Sequence, residues 1–244
     1  MVSFTAFVRS KTLLVVLGAG IAGLFGGCVA PGSRVSYRTA ANTTREAANI
    51  HSIAVLPLDV EVAELNAGGI SEKRDDWTVK AIDNLNRAIT RFTSCKPVNA
   101  SAKLPEADLA EIHALFRAIT QNQFFHGFFG PALITSVRGP LVYQMGSMDS
   151  LLDSTKSDAV LIVFIRDDHA TGGRRTLSII GDIAGIPVRT GITISSAALV
   201  SRDGTLLWMN CLGAKASSDD IRDQDGADEA VKNLFAGLPA LAAR

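Results

Sequence analysis

The sequence predicts an α/β fold, one mixed β-sheet with helices packed on it, and three observations predict it. Short apolar, β-rich runs occur at residues 52–60, 159–165 and 192–211. Segments with the 3–4 residue apolar step of amphipathic helices lie between and after them. A strand, turn and strand unit centres on Asp203-Gly204, and a further helical stripe follows it. A composition of 47% hydrophobic and 20% charged residues over 244 positions suits one globular domain and excludes a disordered chain or a multi-span membrane protein. Basic and acidic residues both number 24. Residues 1–28 hold Arg9 and Lys11 but no acid, so the chain beyond residue 28 has 22 basic against 24 acidic residues, about −2, which leaves no electrostatic footprint for nucleic acid.

Residues 1–27 have the three parts of an export signal. A basic stretch through Arg9 and Lys11 leads into an apolar run over residues 12–25, and small residues Gly26-Gly27 stand before Cys28. That run is about 14 residues long where a spanning helix needs roughly 20, so it reads as a signal core rather than a permanent anchor. Gly18, Gly20 and Gly23 formally match the dinucleotide-binding G-x-G-x-x-G pattern. The match is rejected because the pattern works only between a strand and a helix, with an acid about 20 positions on.

Leu24-Phe25-Gly26-Gly27-Cys28 resembles the lipobox of bacterial lipoproteins, although Phe25 stands where Leu is usual. The resemblance implies a thioether diacylglycerol on Cys28 and an acyl chain such as palmitate on its amino group, and several chains anchor far more firmly than one. Val29 is not the Asp that retains such proteins at the inner membrane, so the outer membrane is implied. Residues 29–50 are polar and aperiodic, and a flexible tether of about 20 residues reaches roughly 25 Å. The expected organisation is therefore signal peptide 1–27, lipidated cysteine and tether 28–50, and periplasmic domain 51–244.

With Cys28 assigned to lipid, Cys95 and Cys211 remain in an oxidising space, where they either pair or stay as buried thiols. Residues 52–60 read as a buried strand that Pro57 ends or places at an edge. Trp77, Ala81, Leu85, Ala88 or Ile89, and Phe92 form a helical stripe from Asp75, and Pro105 opens a second helix with Leu109, Ile112, Phe116 and Ile119 inward. Phe124, Phe125, Phe128 and Phe129 then crowd residues 123–130, either as a buried loop or as an exposed membrane-touching or partner-binding one. Leu151-Leu152 ends a helical turn before the central strand 159–165.

Residues 176–180 read as a strand and 181–191 as a loop. In the hairpin 192–211, a two-residue turn at Asp203-Gly204 pairs Val200 with Leu207, Leu199 with Trp208, Ala198 with Met209 and Ser196 with Cys211. Both hairpin faces are then apolar, so the unit is sandwiched or the side with Leu199, Leu206 and Trp208 is a contact surface. A last helix over 227–238 presents Ala227, Val231, Leu234 and Leu238 and stops at Pro239.

Candidates for chemistry are few. His51, His113, His126 and His169 lie far apart, without H-E-x-x-H or C-x-x-C spacing, and neither G-x-S-x-G nor a P-loop occurs. Asp167, Asp168 and His169 follow the central strand, where an α/β protein can place a weak metal or acid–base site, or simply a solvated turn. No cofactor is expected.

Three stretches carry a wider resemblance: Ser52-Ile-Ala-Val-Leu-Pro-Leu, Lys156-Ser-Asp-Ala-Val-Leu-Ile-Val, and the run from Ala197 to Trp208. They resemble periplasmic lipoproteins with a TolB-N-terminal-like domain, among them the curli secretion-channel lipoprotein and the lipoprotein activators of penicillin-binding proteins. Residues 170–191 match nothing in that group. The resemblance implies a non-enzymatic, membrane-tethered component of the cell envelope that binds an envelope protein or associates with itself. A metal-dependent hydrolase on Asp167, Asp168 and His169, or an oligomeric secretion channel with 170–191 inserted as a β-hairpin, are the alternatives.

Overall fold

The computed structural model describes residues 36–101, 103–128, 140–186, 188, 190–213 and 220–242. The α/β class is as expected: eight strands form one mixed sheet with helices on both faces.

One long strand, β6 (Ala159–Ala170), is the spine of the sheet. Its first half pairs in parallel with β2 (Ser52–Val55), and its second half with β3 (Asp59–Leu65). The single strand expected over 52–60 is thus two, because Pro57 has no N–H to give and the ladder breaks around it. Beyond β2 lies the edge strand β5 (Lys96–Asn99), where Pro97 is tolerated, and beyond β3 lies the short β4 (Ser71–Lys73). On the other side of β6 come β7 (Thr193–Val200), β8 (Leu206–Leu212) and β1 (Ser36–Thr39), each antiparallel to its neighbour.

Two cores follow from the pleat of β6, since successive side chains leave a strand on opposite faces. Ala159, Leu161, Val163 and Ile165 join α2 (Asp75–Phe92) and α6 (Gln224–Leu234) on one face. Val160 and Ile162 join α3 (Glu106–Phe128) and α4 (Asp149–Thr155) on the other. The expected stripes supply these contacts: Ala81, Leu85, Ala88 and Ile89 from α2, Phe116 and Ile119 from α3, and Ala227, Val231 and Leu234 from α6 are buried. Burying an apolar side chain of this size stabilises by about 1.5–3 kcal/mol.

The hairpin register is as expected at Ser196–Cys211, Ala198–Met209 and Leu199–Trp208, but a bulge shifts Val200 onto Leu206. The cause is a longer turn, in which Gly204 at φ +87° donates its N–H to Ser201. Leu199, Leu206 and Trp208 are wholly buried, so they are core and not a contact surface.

Cys95 and Cys211 are buried and are not joined in a disulfide. They belong to opposite cores, Cys95 just before β5 and Cys211 on β8, four ladders or about 19 Å across the sheet, so the sheet itself stands between them.

Two local readings are corrected. The polar stretch 36–50 holds β1 and the short α1 (Thr43–Ala47) rather than tether, because β1 pairs with β8 and Thr43 Oγ1 donates to the backbone of Leu207. Residues 172–183, expected as strand and loop, form α5 (Gly172–Ile183). Thr171 caps it by accepting the Arg174 N–H at 3.2 Å, and that cap overrides the β-branched content of the segment.

Candidate functional site

Past Ile165 the spine changes character and reads Arg166-Asp167-Asp168-His169. These residues are not a turn after the strand. They remain in the ladder, with Asp167 opposite both Val62 and Thr193 and His169 opposite Glu64. The pleat therefore divides the trio: Asp167 and His169 face α2 and α6, and Asp168 faces α3.

On the α2/α6 face, Asp167 is wholly buried and accepts a hydrogen bond from Thr193 Oγ1 at 2.6 Å. His169 Nε2 lies 2.7 Å from Asp167 Oδ2, off the line of a straight hydrogen bond, and 3.9 Å from Asp220 Oδ1. Asp220 is gripped by Arg222 through Nε at 2.8 Å and Nη2 at 2.6 Å. Those hydrogen bonds hold the Asp220 carboxyl below the usual range against the opposing effect of burial, and they raise the Arg222 guanidinium. Arg222 also stacks on Trp77 at 4.2 Å, and Arg74 stacks on the same ring at 4.3 Å. Trp77 meets His169 edge-on with centroids 6.2 Å apart. With His169 only 7% exposed and Asp167 not at all, a substrate reaches neither, and the cluster works as a clasp between α6, α2 and the spine.

The α3 face is open where the other is closed. A cleft of about 430 Å³ is lined by Asp59, Arg117, Phe124, Phe164, Arg166 and Asp168, among others. Arg117 donates to both oxygens of Asp59 at 2.5 Å, a fork-on-carboxylate pair that raises the guanidinium further. Its charge also lies 5.9 Å from the Phe164 ring. Arg166 reaches Glu61 at 3.4 Å and Asp168 at 3.8 Å, and Asp168 accepts from Ser71 Oγ at 3.0 Å. Every carboxylate of the lining is thus engaged by an arginine, with Phe124 and Phe164 in the same lining, an arrangement suited to recognition.

Of the predicted site residues, Phe124 lines this cleft, and Phe125 and Phe128 continue α3. Cys28 and Phe129 lie outside the described residues. Asp59, Arg117, Asp220 and Arg222 were not singled out by sequence, and Trp77 only as part of a helical stripe. The Asp59–Arg117 pair spans 58 positions, so no local pattern signals it. Among the described residues, no group of three histidine, cysteine or acidic side chains is placed to hold a metal ion, and no helix is long and apolar enough to cross a membrane.

No family model matches the chain, and no curated protein matches it. Among solved structures, the chain is similar to a PelC dodecamer from Paraburkholderia phytofirmans, at 10% identity and a TM-score of 0.37, over 83% of this chain and 97% of that one. A likeness at that distance assigns neither family nor role.

Proposed function

We propose that the chain is a membrane-anchored lipoprotein of the bacterial envelope, held at the periplasmic face of the outer membrane through Cys28, whose domain acts by binding an envelope protein. The observation that carries this reading is the signal core ending in Leu24-Phe25-Gly26-Gly27-Cys28, followed after only seven residues by the first strand at Ser36. Binding is favoured over catalysis by the state of the polar groups: the Asp167–His169 pair is closed to substrate, and the carboxylates of the open cleft are paired. A hydrolase on Asp167, Asp168 and His169 lacks comparable support, because the pleat sends Asp168 to the opposite face. A channel built by 170–191 as a β-hairpin lacks it too, because most of that segment is helical.

Labelled fatty acid and in-cell cross-linking test the two halves. The wild-type chain should incorporate label and fractionate with membranes, and Cys28→Ala should do neither. Capture of a C-terminally tagged chain from the envelope should yield one or two defined proteins, and exposed Gln121 at the cleft mouth, changed to Trp, should deplete them. Capture unchanged by Gln121→Trp would remove the cleft from the reading.

A further inference from the structure

The amphipathicity of α5 is inverted. Its inner side is made of small or polar residues: Gly181 is buried against the backbone of Ile186, where a Cβ would come within 2.4 Å of the carbonyl oxygen, and Ser178 Oγ donates to Val188. Outward it shows Leu177 at 42% exposure, Ile179 at 62%, Ile180 at 56% and Ile183 at 84%, and the returning chain adds Ile186 at 65%. The turn over residues 66–70, whose Ala67 carbonyl accepts from Arg174, contributes Ile70 at 63%. Six of the ten large apolar side chains exposed among the described residues thus gather at one end of the sheet. Four exposed isoleucines on one short helix and its return exceed the single apolar residues that a solvated surface normally scatters. Arg174 and Arg175 in the first turn leave the helix cationic beside this apolar row, with Asp182 as its acid.

The register shows at which end of the sheet β1 begins. Ser36 pairs with Cys211, Cys211 with Ser196, and Ser196 with Phe164, and β1 runs antiparallel to β6. The amino-terminal end of β1 therefore faces the end of the sheet at which β6 delivers α5. From the level of Phe164 to the end of β6 is about 20 Å along the strand, and three ladders add about 14 Å sideways. Cys28 to Ser36 is eight residue steps, an extended reach of about 28 Å, so acyl chains on Cys28 and the apolar row of α5 can enter the same membrane surface.

We propose that α5 lies flat in the bilayer interface, its isoleucines among the acyl chains and its exposed first-turn Arg175 at anionic headgroups, so that the domain is held in a fixed orientation rather than swinging on its lipid. The inference rests on the lipoprotein reading above.

The test uses the full, acylated chain in vesicles of phosphatidylethanolamine and phosphatidylglycerol. A polarity-sensitive fluorophore is placed on Ile183→Cys or, as a control, on Lys232→Cys of α6; Cys95 and Cys211 are buried and do not compete for label. Co-flotation reports the anchor, and the fluorophore reports α5. The expected result is flotation of both, with blue-shifted emission quenched by brominated acyl chains at position 183 only. Adding Ile179→Asp should abolish the shift while flotation persists. Flotation with position 183 still in water would overturn the α5 inference and leave the anchor intact. Absence of flotation would sink both. A blue shift that appears without vesicles and grows with protein concentration would assign the row to a second copy of the chain and overturn the bilayer as its occupant.

Discussion

Removing the imidazole of His169 asks whether the clasp holds the polar end of the spine inside the domain. Asp167 is fully buried, with Thr193 Oγ1 at 2.6 Å on one oxygen and His169 Nε2 at 2.7 Å from the other. His169→Ala keeps the first contact and leaves Oδ2 facing a void. A buried polar atom stripped of its neighbour costs about 1–3 kcal/mol. With Thr193 still in place, we expect a loss of about 2 kcal/mol. Equilibrium urea unfolding of the unlipidated Cys28→Ser chain measures it, with fluorescence from Trp77 beside the clasp and Trp208 in the core. At a urea dependence of about 2–3 kcal/mol per molar, the midpoint should fall by about 1 M. Adding Asp167→Ala removes the orphaned carboxyl, so the double variant should be more stable than the sum of the singles by at least about 1 kcal/mol. Single effects that add to within about 0.5 kcal/mol would refute the coupling.

Three further outcomes follow from the same geometry. Gly204→Ala forces a side chain into a φ of +87° and places its Cβ 2.0 Å from the Gly146 carbonyl oxygen, so thermal unfolding should shift down by at least about 4 °C, matching a loss of about 2 kcal/mol. Because the carboxyl of Asp220 titrates lower in the folded state, its contribution is fully present above the ordinary carboxylate range near pH 4 and is lost as pH falls through the folded value. With Asp220 37% exposed, that contribution should stay under about 1 kcal/mol, and Arg222→Gln should flatten the fall in urea midpoint between pH 5 and pH 2 by about that amount. Burial pushes the Cys211 thiol up to about 11, so iodoacetamide at pH 8 should leave it unmodified in the folded protein, and intact-mass measurement after denaturation should count both Cys95 and Cys211 as reactive.

Helices α2, α3 and α6 were legible because their apolar residues recur at 3–4 positions and their faces are buried as that spacing demands. The first half of β6 was legible for the same kind of reason, as an unbroken apolar run covered on both sides. Its second half was not, because Arg166-Asp167-Asp168-His169 is locally indistinguishable from a solvated turn. It stays in the sheet through β3 and Thr193, both distant in sequence. The β1 strand, Ser-Tyr-Arg-Thr, has no hydrophobic period to read and exists because β8 offers it an edge. In α5, Thr176, Ile179 and Ile180 suggested a strand, whereas the Thr171 cap was present in the sequence and outweighed them. The Asp59–Arg117 pair and the separation of Cys95 from Cys211 depend on which face each strand shows, information that only the assembled sheet contains.

The pairing of β1 with β8 sets the order in which the chain can become a domain. β1, the first strand among the described residues, waits for one that begins at Leu206, and the spine that joins both halves begins only at Ala159. Any chain released end-first therefore exposes most of its length before the sheet can close, and long-range pairings of this kind form slowly. Under the proposed export through a translocase as an open chain, that delay is useful. The full sheet cannot close until β8 has arrived, and on that proposal closure falls on the far side of the membrane.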